Sequence, residues 1–377
     1  MECANERPPQ EINRNEVNQN ESDKFNSNVE WHKADHSVKG RGHLNSHWKK
    51  KFTLHRKDVN PQFRIPFIIT GYRSPNLNAL ESLYSAFVPS CNESINFWSH
   101  FIAFVLFIAK FKALFSRDDY SLDDSIHWPL LSAALGICGF CFASSSAHMF
   151  NSMSPSAQHC CFFMDYAAIG VYSVGVGQAF FFYARPIAPE IFPFKSAQPF
   201  TIISQLTSIT TTLLCCLSRL YWTKHKYLIR TSSFVAPFLV NASPYLYRMI
   251  YCANDVDCIS QDSLWVFQIH CFFYIASALI NILRVPERVY PGKFDLLGHS
   301  HHFLHIFTAI GASYQFDSIN LDMRARKSEL MKQAVQCNFW NTILSFLISV
   351  IMNFGIALIF GSKAGEHTEE HEKEKTT

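Results

Sequence analysis

Charged side chains are scarce in the middle of this chain of 377 residues. The first 60 residues carry 11 Lys and Arg with 9 Asp and Glu, and the last 17 carry 3 and 5. Residues 61–360 therefore hold 35 charges in 300 residues, about half the density of a soluble domain. Together with long apolar runs rich in the 35 Phe residues, this scarcity excludes a soluble protein with a single core.

Two further features are missing from the sequence. The net charge of +3 says little about partners, and no basic tract is long enough to indicate nucleic acid as a partner, so we expect none. The polar, Asn-rich N-terminus lacks the apolar core of a cleavable signal peptide, so we expect the first membrane span to direct insertion.

Eight apolar segments approach the ~20 residues that cross a bilayer core. They lie at about 95–115, 127–150, 159–183, 199–221, 232–252, 263–283, 295–316 and 338–360. Backbone groups in lipid must be satisfied within a segment, so these segments are predicted to be helices and the protein all-α. Apolar residues at helical spacing between Pro75 and Pro89 predict one more helix over 76–90, which lies on the membrane surface.

Charged residues in the loops predict the orientation of the spans. Basic residues before span 1 and in loops 4–5 and 6–7 share one side, which the positive-inside rule assigns to the cytoplasm. Aspartates in loops 1–2 and 5–6 fall on the other side, where Cys252 and Cys258 are candidates for a disulfide, with free thiols as the alternative. The segment 317–336, with four basic residues, disagrees because it would be exterior.

These assignments divide the chain into four parts. Residues 1–60 are predicted to be a disordered cytoplasmic region, 61–94 a membrane-proximal segment, 95–360 the transmembrane domain and 361–377 a charged tail. Both termini are cytoplasmic if the eighth segment crosses the membrane.

Four ionisable residues inside the spans are candidates for function, because such groups are costly in lipid. His301 and His305 are four residues apart and share a helix face, which suits two ligands of one metal ion. His148 near the end of span 2 would complete the three-nitrogen set of a catalytic zinc. These histidines and Asp165 in span 3 all lie within roughly 15 Å of the cytoplasmic face.

The same residues have alternative interpretations. His302 and His305 also form a spaced pair, and all of these histidines are compatible with packing around a polar cavity. Ser144, one turn from His148, either binds a substrate oxygen or bonds back to its own helix. Asp165 is a general base acting on a zinc-bound water, a partner that orients that water, or an isolated carboxylate near the interface.

At these positions the chain resembles the progestin and adipoQ receptor family. Its matching motifs are Asn92-Glu93-x-x-Asn96-x-Trp98-Ser99-His100, Ser144-x-x-x-His148, Asp165-Tyr166, Pro291-Gly292-Lys293-Phe294-Asp295 and Ser300-His301-x-x-x-His305. The stretches Phe67-Ile68-Ile69-Thr70-Gly71-Tyr72-Arg73 and Val285-Pro286-Glu287-Arg288, with the eighth span, resemble its membrane progestin receptor branch.

The resemblance implies a seven-helix barrel of the adiponectin-receptor type with an intracellular N-terminus, here followed by an eighth transmembrane helix. It also implies Zn²⁺ held by His148, His301 and His305, with Ser144 and Asp165 beside it. It thus selects His301 over His302.

Three functions follow from these expectations. The first is a receptor, in the plasma membrane, for a steroid or other lipid such as a sphingolipid. The second is a zinc-dependent, ceramidase-like amidohydrolase, in which Asp165 takes a proton and Ser144 helps to bind the oxyanion. The third is a membrane scaffold whose zinc only ties three spans together.

Overall fold

The computed structural model describes residues 52–187, 189–222, 226–251, 258–332 and 336–376. Residues 1–51 lie outside the described part, so disorder there stays a prediction. Residues 52–63, by contrast, contain two short 3-10 turns, and Leu54 forms a β-bridge with Tyr72. The helices of the described residues are α1 (Ala79–Ser85), α2 (Ser94–Phe115), α3 (Trp128–Phe150), α4 (Pro155–Ala184), α5 (Ala197–Leu220), α6 (Lys226–Ile250), α7 (Gln261–Leu283), α8 (Ser300–Ala325), α9 (Lys327–Lys332) and α10 (Ser345–Thr376), which follows a π-helical turn, Trp340–Leu344.

The prediction of an all-α membrane protein is confirmed, with a long helix at each of the eight apolar segments. Six of these helices are long and apolar enough to cross a membrane, the last over Trp340–Gly365. The other two, α6 and α8, carry more polar residues. Large apolar side chains such as Leu106, Ile202, Phe272 and Ile351 are exposed, as expected of surfaces that face lipid.

The long helices alternate in direction. We call the end at which α2, α4, α6 and α8 begin the proximal end, and the opposite end the distal end. The first turn of α2 contacts the last turn of α3 through Glu93 and His148, whereas Lys110 near the end of α2 pairs with Asp317 near the end of α8. Neighbouring spans are therefore joined by the short connections that an antiparallel bundle allows.

Helix α4 lies at the centre of the bundle and packs against α3, α5, α6, α8 and α10. Small residues make this possible, as is common in membrane helices. A Cβ atom added to Gly175 would lie 2.4 Å from the carbonyl oxygen of Ser132, and one added to Gly136 would lie 2.9 Å from the Cα of Tyr172. The backbones of α3 and α4 are thus in direct contact.

Helix α10 belongs to the same bundle as the other seven. Asn353 of α10 accepts a hydrogen bond from Thr212 at 2.6 Å and donates to Ser208 at 3.1 Å, both on α5. Gln178 of α4 donates to the carbonyl of Thr342 at 3.0 Å. Buried polar contacts of this kind hold membrane helices together because no water competes for them.

The surface helix is shorter than the predicted 76–90. Asn78 and Glu81 form a capping box at its start, and it ends at Ser85. Its serines Ser82 and Ser85 are buried, whereas Leu80, Leu83 and Tyr84 are exposed. This reversed amphipathicity agrees with an apolar face that rests in a membrane interface.

The boundaries of the seventh span differ from the prediction of 295–316. Asp295 accepts hydrogen bonds from the backbone of Ile69 at 3.1 Å and of Thr70 at 2.7 Å, so it belongs to the loop before the helix. Gly298 has a φ of 82°, in the left-handed region, and α8 begins only at Ser300. At its other end the helix continues past residue 316 to Ala325.

The greater length of α8 explains part of the disagreement between the basic segment 317–336 and the predicted orientation. Arg326 is buried at the end of α8 and donates to the carbonyls of Tyr183 at 2.9 Å and Arg185 at 2.8 Å. Arg248 of α6 donates to the carbonyl of Ala184 and pairs with Asp322 at 2.8 Å. These guanidinium groups cap the C-terminal end of α4, where a positive charge is favourable, so Arg326 does not behave as a loop charge.

Candidate metal centre

Three histidines converge at the proximal end of the bundle. One ring nitrogen from each of His148 on α3 and His301 and His305 on α8 can be chosen so that all three lie within 4.8 Å of one another. Nε2 of His301 is 3.2 Å from Nε2 of His148 and 3.2 Å from Nε2 of His305. His148 and His305 are buried. This group can bind a metal ion.

The hydrogen bonds of the outer ring nitrogens determine where the inner lone pairs lie. Nδ1 of His148 donates to the Glu93 carboxylate at 2.6 Å, and Nδ1 of His305 donates to the carbonyl of Asn96 at 3.0 Å. In a neutral imidazole the other nitrogen is then unprotonated. The Nε2 atoms of His148 and His305 therefore both direct a lone pair toward Nε2 of His301. A neutral His301 ring carries one N–H proton, which can be donated to only one of these two atoms. A cation bound among the three nitrogens would satisfy all of them.

Glu93 and its neighbours on α2 are site residues whose role sequence reasoning missed. The Glu93 carboxylate accepts from His148, from Asn96 at 3.0 Å and from Asn151 at 3.2 Å. Burial acts to raise the pKa of this carboxyl, but the hydrogen bonds from His148 and Asn96 and the positive charge of Arg73 hold the pKa well below its usual range. Glu93 is therefore ionised and orients the ring of His148, as carboxylates commonly do beside metal-binding histidines.

His299 and His302 are excluded from the converging group by their hydrogen bonds. Nδ1 of His302 accepts from the backbone N–H of Gly298 at 3.0 Å, and Nδ1 of His299 accepts from that of His301 at 3.3 Å. The two rings stack on each other with centroids 3.6 Å apart. These two histidines lie at the start of α8, and it is His301, rather than His302, whose ring nitrogen lies with those of His148 and His305.

Asp165 and Ser144 lie beside the histidines. Asp165 is near enough to Ser144 and to His148 for each of them to influence its carboxyl electrostatically. Asp165 is not a member of the converging group, and its buried Oδ1 has no hydrogen-bond partner in the described part of the chain. An unpaired carboxylate oxygen of this kind can accept a proton from a bound water or substrate.

The membrane-proximal segment closes the proximal end of the site. Arg73 is buried and donates to the carbonyls of His148 at 2.8 Å and Met149 at 2.7 Å, and it also bonds Asn151 and Ser85. Glu287, from the loop before α8, accepts from the backbone N–H of Ser300 at 2.8 Å. These two charges cap the helix ends that carry the histidines, and so fix the positions of His148 and His301.

Comparison with known proteins gives one family. The sequence profile of the Haemolysin-III related family matches residues 90–316, which include the histidines, Asp165 and Glu93. The chain is 33% identical over 297 residues to membrane progestin receptor delta of Mus musculus, covering 78% of this chain and 85% of that protein. It is 30% identical over 331 residues to membrane progestin receptor gamma-B of Danio rerio, covering 83% and 93%.

Proposed function

Because the chain belongs to the Haemolysin-III related family, also called the progestin and adipoQ receptor family, we propose that it is a membrane receptor for a steroid or other lipid, with a zinc site among its helices. The relatives are receptors of the membrane progestin branch and match most of the chain, which supports a multi-pass receptor. The converging ring nitrogens of His148, His301 and His305, of which His148 and His305 are buried, support the metal site.

Zinc fits these residues better than a hard cation. Three imidazoles suit zinc and other late transition metals, whereas magnesium and calcium prefer oxygen ligands. His148, His301 and His305 would hold the ion, and Glu93 would orient His148 from outside. When bound, zinc polarises carbonyl oxygens and makes water more acidic.

The location of the site supports a lipid ligand. The histidines lie inside a bundle whose outer surface is apolar, and interior positions near them are aromatic: His100 stacks on His305 at 3.9 Å, and Phe162 lies 5.9 Å from His148. A ligand that enters from the bilayer would meet apolar rings first and the polar site at its end. We propose a plasma-membrane location with the proximal end in the cytoplasm, which the disulfide of Cys258 in the loop at the opposite end supports; its predicted partner Cys252 lies outside the described residues.

The alternative function is hydrolysis of a lipid amide such as ceramide. It is favoured by the unpaired Oδ1 of Asp165 beside the histidines, since a general base needs a free oxygen. Asp165 would take the proton of the attacking water, and Ser144 would hold the substrate oxygen. Within the described residues three side chains converge rather than four, so a position is left for substrate, which counts against a purely structural metal site.

One set of measurements on the purified protein tests these functions. We expect about one zinc per chain by elemental analysis in the wild type and in Asp165→Asn, and strong loss of zinc in His148→Ala. A wild type without zinc would overturn the metal site. Asp123→Asn, at an exposed loop position, is the matched control for the aspartate change.

The same variants distinguish hydrolase activity from receptor activity. If the protein is a hydrolase, Asp165→Asn should lower fatty-acid release from ceramide by about 100-fold or more, while Asp123→Asn leaves it unchanged. Full hydrolysis by Asp165→Asn would rule out the base. If it is a receptor, saturable binding of tritiated progesterone is expected in the wild type, and its absence would rule out the steroid.

A further inference from the structure

Three basic side chains outside the converging group of histidines lie together at the proximal end of the bundle. They are His159 on α4, Arg219 on α5 and Arg230 on α6, and we call them the basic cluster. The guanidinium of Arg219 lies 4.3 Å from the centre of the Phe162 ring, and that of Arg230 lies 5.6 Å from the centre of the Tyr166 ring, both on α4. Each basic residue lies within about one turn of the proximal end of its helix, which is the depth of lipid headgroups.

The positive charges of the basic cluster have no acidic partner in the described part of the chain. Arg219 and Arg230 are near enough to repel each other, and both influence the ring of His159 electrostatically. Nε of Arg219 and Nδ1 of His159 are buried and have no hydrogen-bond partner among the described residues. The positive-inside rule explains basic residues at this end but not their convergence. Guanidinium groups that converge without a carboxylate would be stabilised by a bound anion.

A groove of about 260 Å³ lies between α5 and α6 on the outer surface of the bundle. Its lining includes Leu206, Thr210, Leu214, Ser232, Ser233 and Ala236. Three of these residues, Leu206, Thr210 and Ala236, are exposed, so the groove opens toward the lipid. Thr211 donates to the carbonyl of Ser233 at 2.8 Å and holds the two helices together at this level.

The groove leads toward the basic cluster. Ser233 in the groove follows Arg230 by one turn on α6. On α5, Ser218 follows Leu214 of the groove by one turn and accepts a hydrogen bond from Nε of Arg230 at 3.1 Å. The groove and the arginine are thus separated by only about 5–6 Å along each helix. A molecule with an apolar chain and an anionic end matches this order of surfaces.

We propose that the basic cluster and the groove together bind one anionic phospholipid from the leaflet at the proximal end, with its phosphate at Arg219 and Arg230 and an acyl chain in the groove. Guanidinium groups suit phosphate because their planar N–H groups match its oxygens. Basic sites between membrane helices on the cytoplasmic side commonly bind anionic headgroups, which agrees with the proposed orientation. The inference goes beyond the receptor and hydrolase functions, because it uses neither the histidine ligands nor Asp165.

Native mass spectrometry of the full-length protein in detergent, titrated with lipid, tests the headgroup site. The wild type should bind dioleoylphosphatidic acid more tightly than dioleoylphosphatidylcholine, which has the same chains but no net charge. The double variant Arg219→Gln with Arg230→Gln should bind phosphatidic acid about 10- to 100-fold more weakly, the loss of charge-assisted hydrogen bonds. Lysine at both positions keeps the charge and should lose less. Arg288→Gln, at an exposed position of the same end, is the control and should bind as the wild type does.

A second pair of variants tests the groove. Ala236→Phe fills it and should weaken binding of phosphatidic acid several-fold, whereas Val235→Phe, at an exposed neighbouring position outside the groove lining, should not. Soluble glycerol 3-phosphate carries the same phosphate without chains and distinguishes a lipid from a free phosphate as the ligand. We expect it to bind at least 100-fold more weakly than phosphatidic acid, because it cannot occupy the groove.

Several results would overturn the proposal. They are equal affinity of the wild type for the two lipids, unchanged binding in the glutamine double variant, and an equal loss in Arg288→Gln. Tight binding of glycerol 3-phosphate would replace the lipid by a soluble phosphate, and equal effects of the two phenylalanine variants would exclude the groove. Thermal unfolding of each sample verifies folding, and if the glutamine variant does not fold, the lysine variant and Ala236→Phe decide.

Discussion

At the residue scale, the site depends on partners of the histidines that are not themselves ligands. Glu93 holds one ring nitrogen of His148 at 2.6 Å, so that the other points at His301. Loss of such a partner weakens metal binding without removing a ligand, typically by 10- to 100-fold.

We therefore expect Glu93→Gln to reduce zinc affinity by about 10- to 100-fold, because a neutral amide holds the ring less firmly than a carboxylate. Competition with a chelator of known affinity measures this change. Glu190→Gln, at an exposed loop position, is the control and should bind zinc as the wild type does. An unchanged affinity in Glu93→Gln would mean that Asn96 and the backbone are enough to orient the site.

How much of the site could be predicted depends on whether its geometry is local. Spacing within one helix predicts a histidine pair that includes His305, and the family resemblance selects His301 over His302 as its partner. His148 and Asp165 follow from depth along their spans. The role of Glu93 depends on a contact between two helices, which no spacing within one span reveals. Its signal was nonetheless present, because Glu93, Asn96 and His100 recur at helical spacing in an otherwise apolar span and mark one polar face.

At the element scale, close helix contacts depend on single glycines. Gly175 on α4 allows contact with the Ser132 carbonyl, whereas a Cβ atom added to Gly139 on α3 would meet nothing within 4 Å. Gly175→Ala should therefore lower the melting temperature by several degrees, because the backbones of α3 and α4 must separate. Gly139→Ala should leave it unchanged or raise it, since alanine favours helices by up to about 1 kcal/mol. Similar effects of the two changes in thermal unfolding would contradict this contact.

Ion pairs between the same elements should differ in strength with their burial. Arg248 and Asp322 join α6 to α8 with almost no exposure, whereas the side chains of Lys110 and Asp317, which join α2 to α8, are 31% and 42% exposed. Removing one partner of a buried pair leaves an uncompensated charge, which costs about 3–5 kcal/mol, while an exposed pair contributes about 0–1 kcal/mol.

Arg248→Met should consequently destabilise the protein in detergent far more than Lys110→Met does. Thermal unfolding of the two variants, followed by tryptophan fluorescence, provides the comparison. Restoration of stability in the double variant Arg248→Met with Asp322→Leu would identify the unpaired carboxylate as the cause. Equal effects of the two single changes would show that burial does not determine the strength of these pairs.

The same contacts explain why the ends of the spans were harder to predict than their centres. Asp295 is charged yet buried through its hydrogen bonds to Thr70, and Asp322 is charged yet buried through Arg248. Hydropathy treats both as loop residues or as interruptions of a helix. Their partners lie far away in sequence, so the true start and end of α8 become visible only in the folded bundle.

At the scale of the whole molecule, the eight long helices of the described residues alternate in direction, which is the basis for our proposal that both chain ends lie on the same side of the membrane. Helix α10 packs on α4 and α5 through buried polar contacts, so it cannot be a loosely attached tail. By the positive-inside rule, the basic residues near α1 and in the loops 4–5 and 6–7 favour the cytoplasm as that side, and we propose this orientation. Arg326, which seemed to contradict this orientation, is buried as a cap of α4.

This orientation predicts which epitope tags antibodies can reach in intact cells. Tags at either terminus should be detected only after permeabilisation, whereas a tag inserted in the exposed turn near Asp123, between α2 and α3, should be detected without it. Surface detection of the Asp123 tag would at the same time support the plasma membrane as the location. A C-terminal tag that is accessible in intact cells, with an inaccessible N-terminal one, would mean that α10 does not cross. Since α10 supplies Asn353 to α5, the variant Asn353→Leu should then leave stability unchanged instead of lowering it.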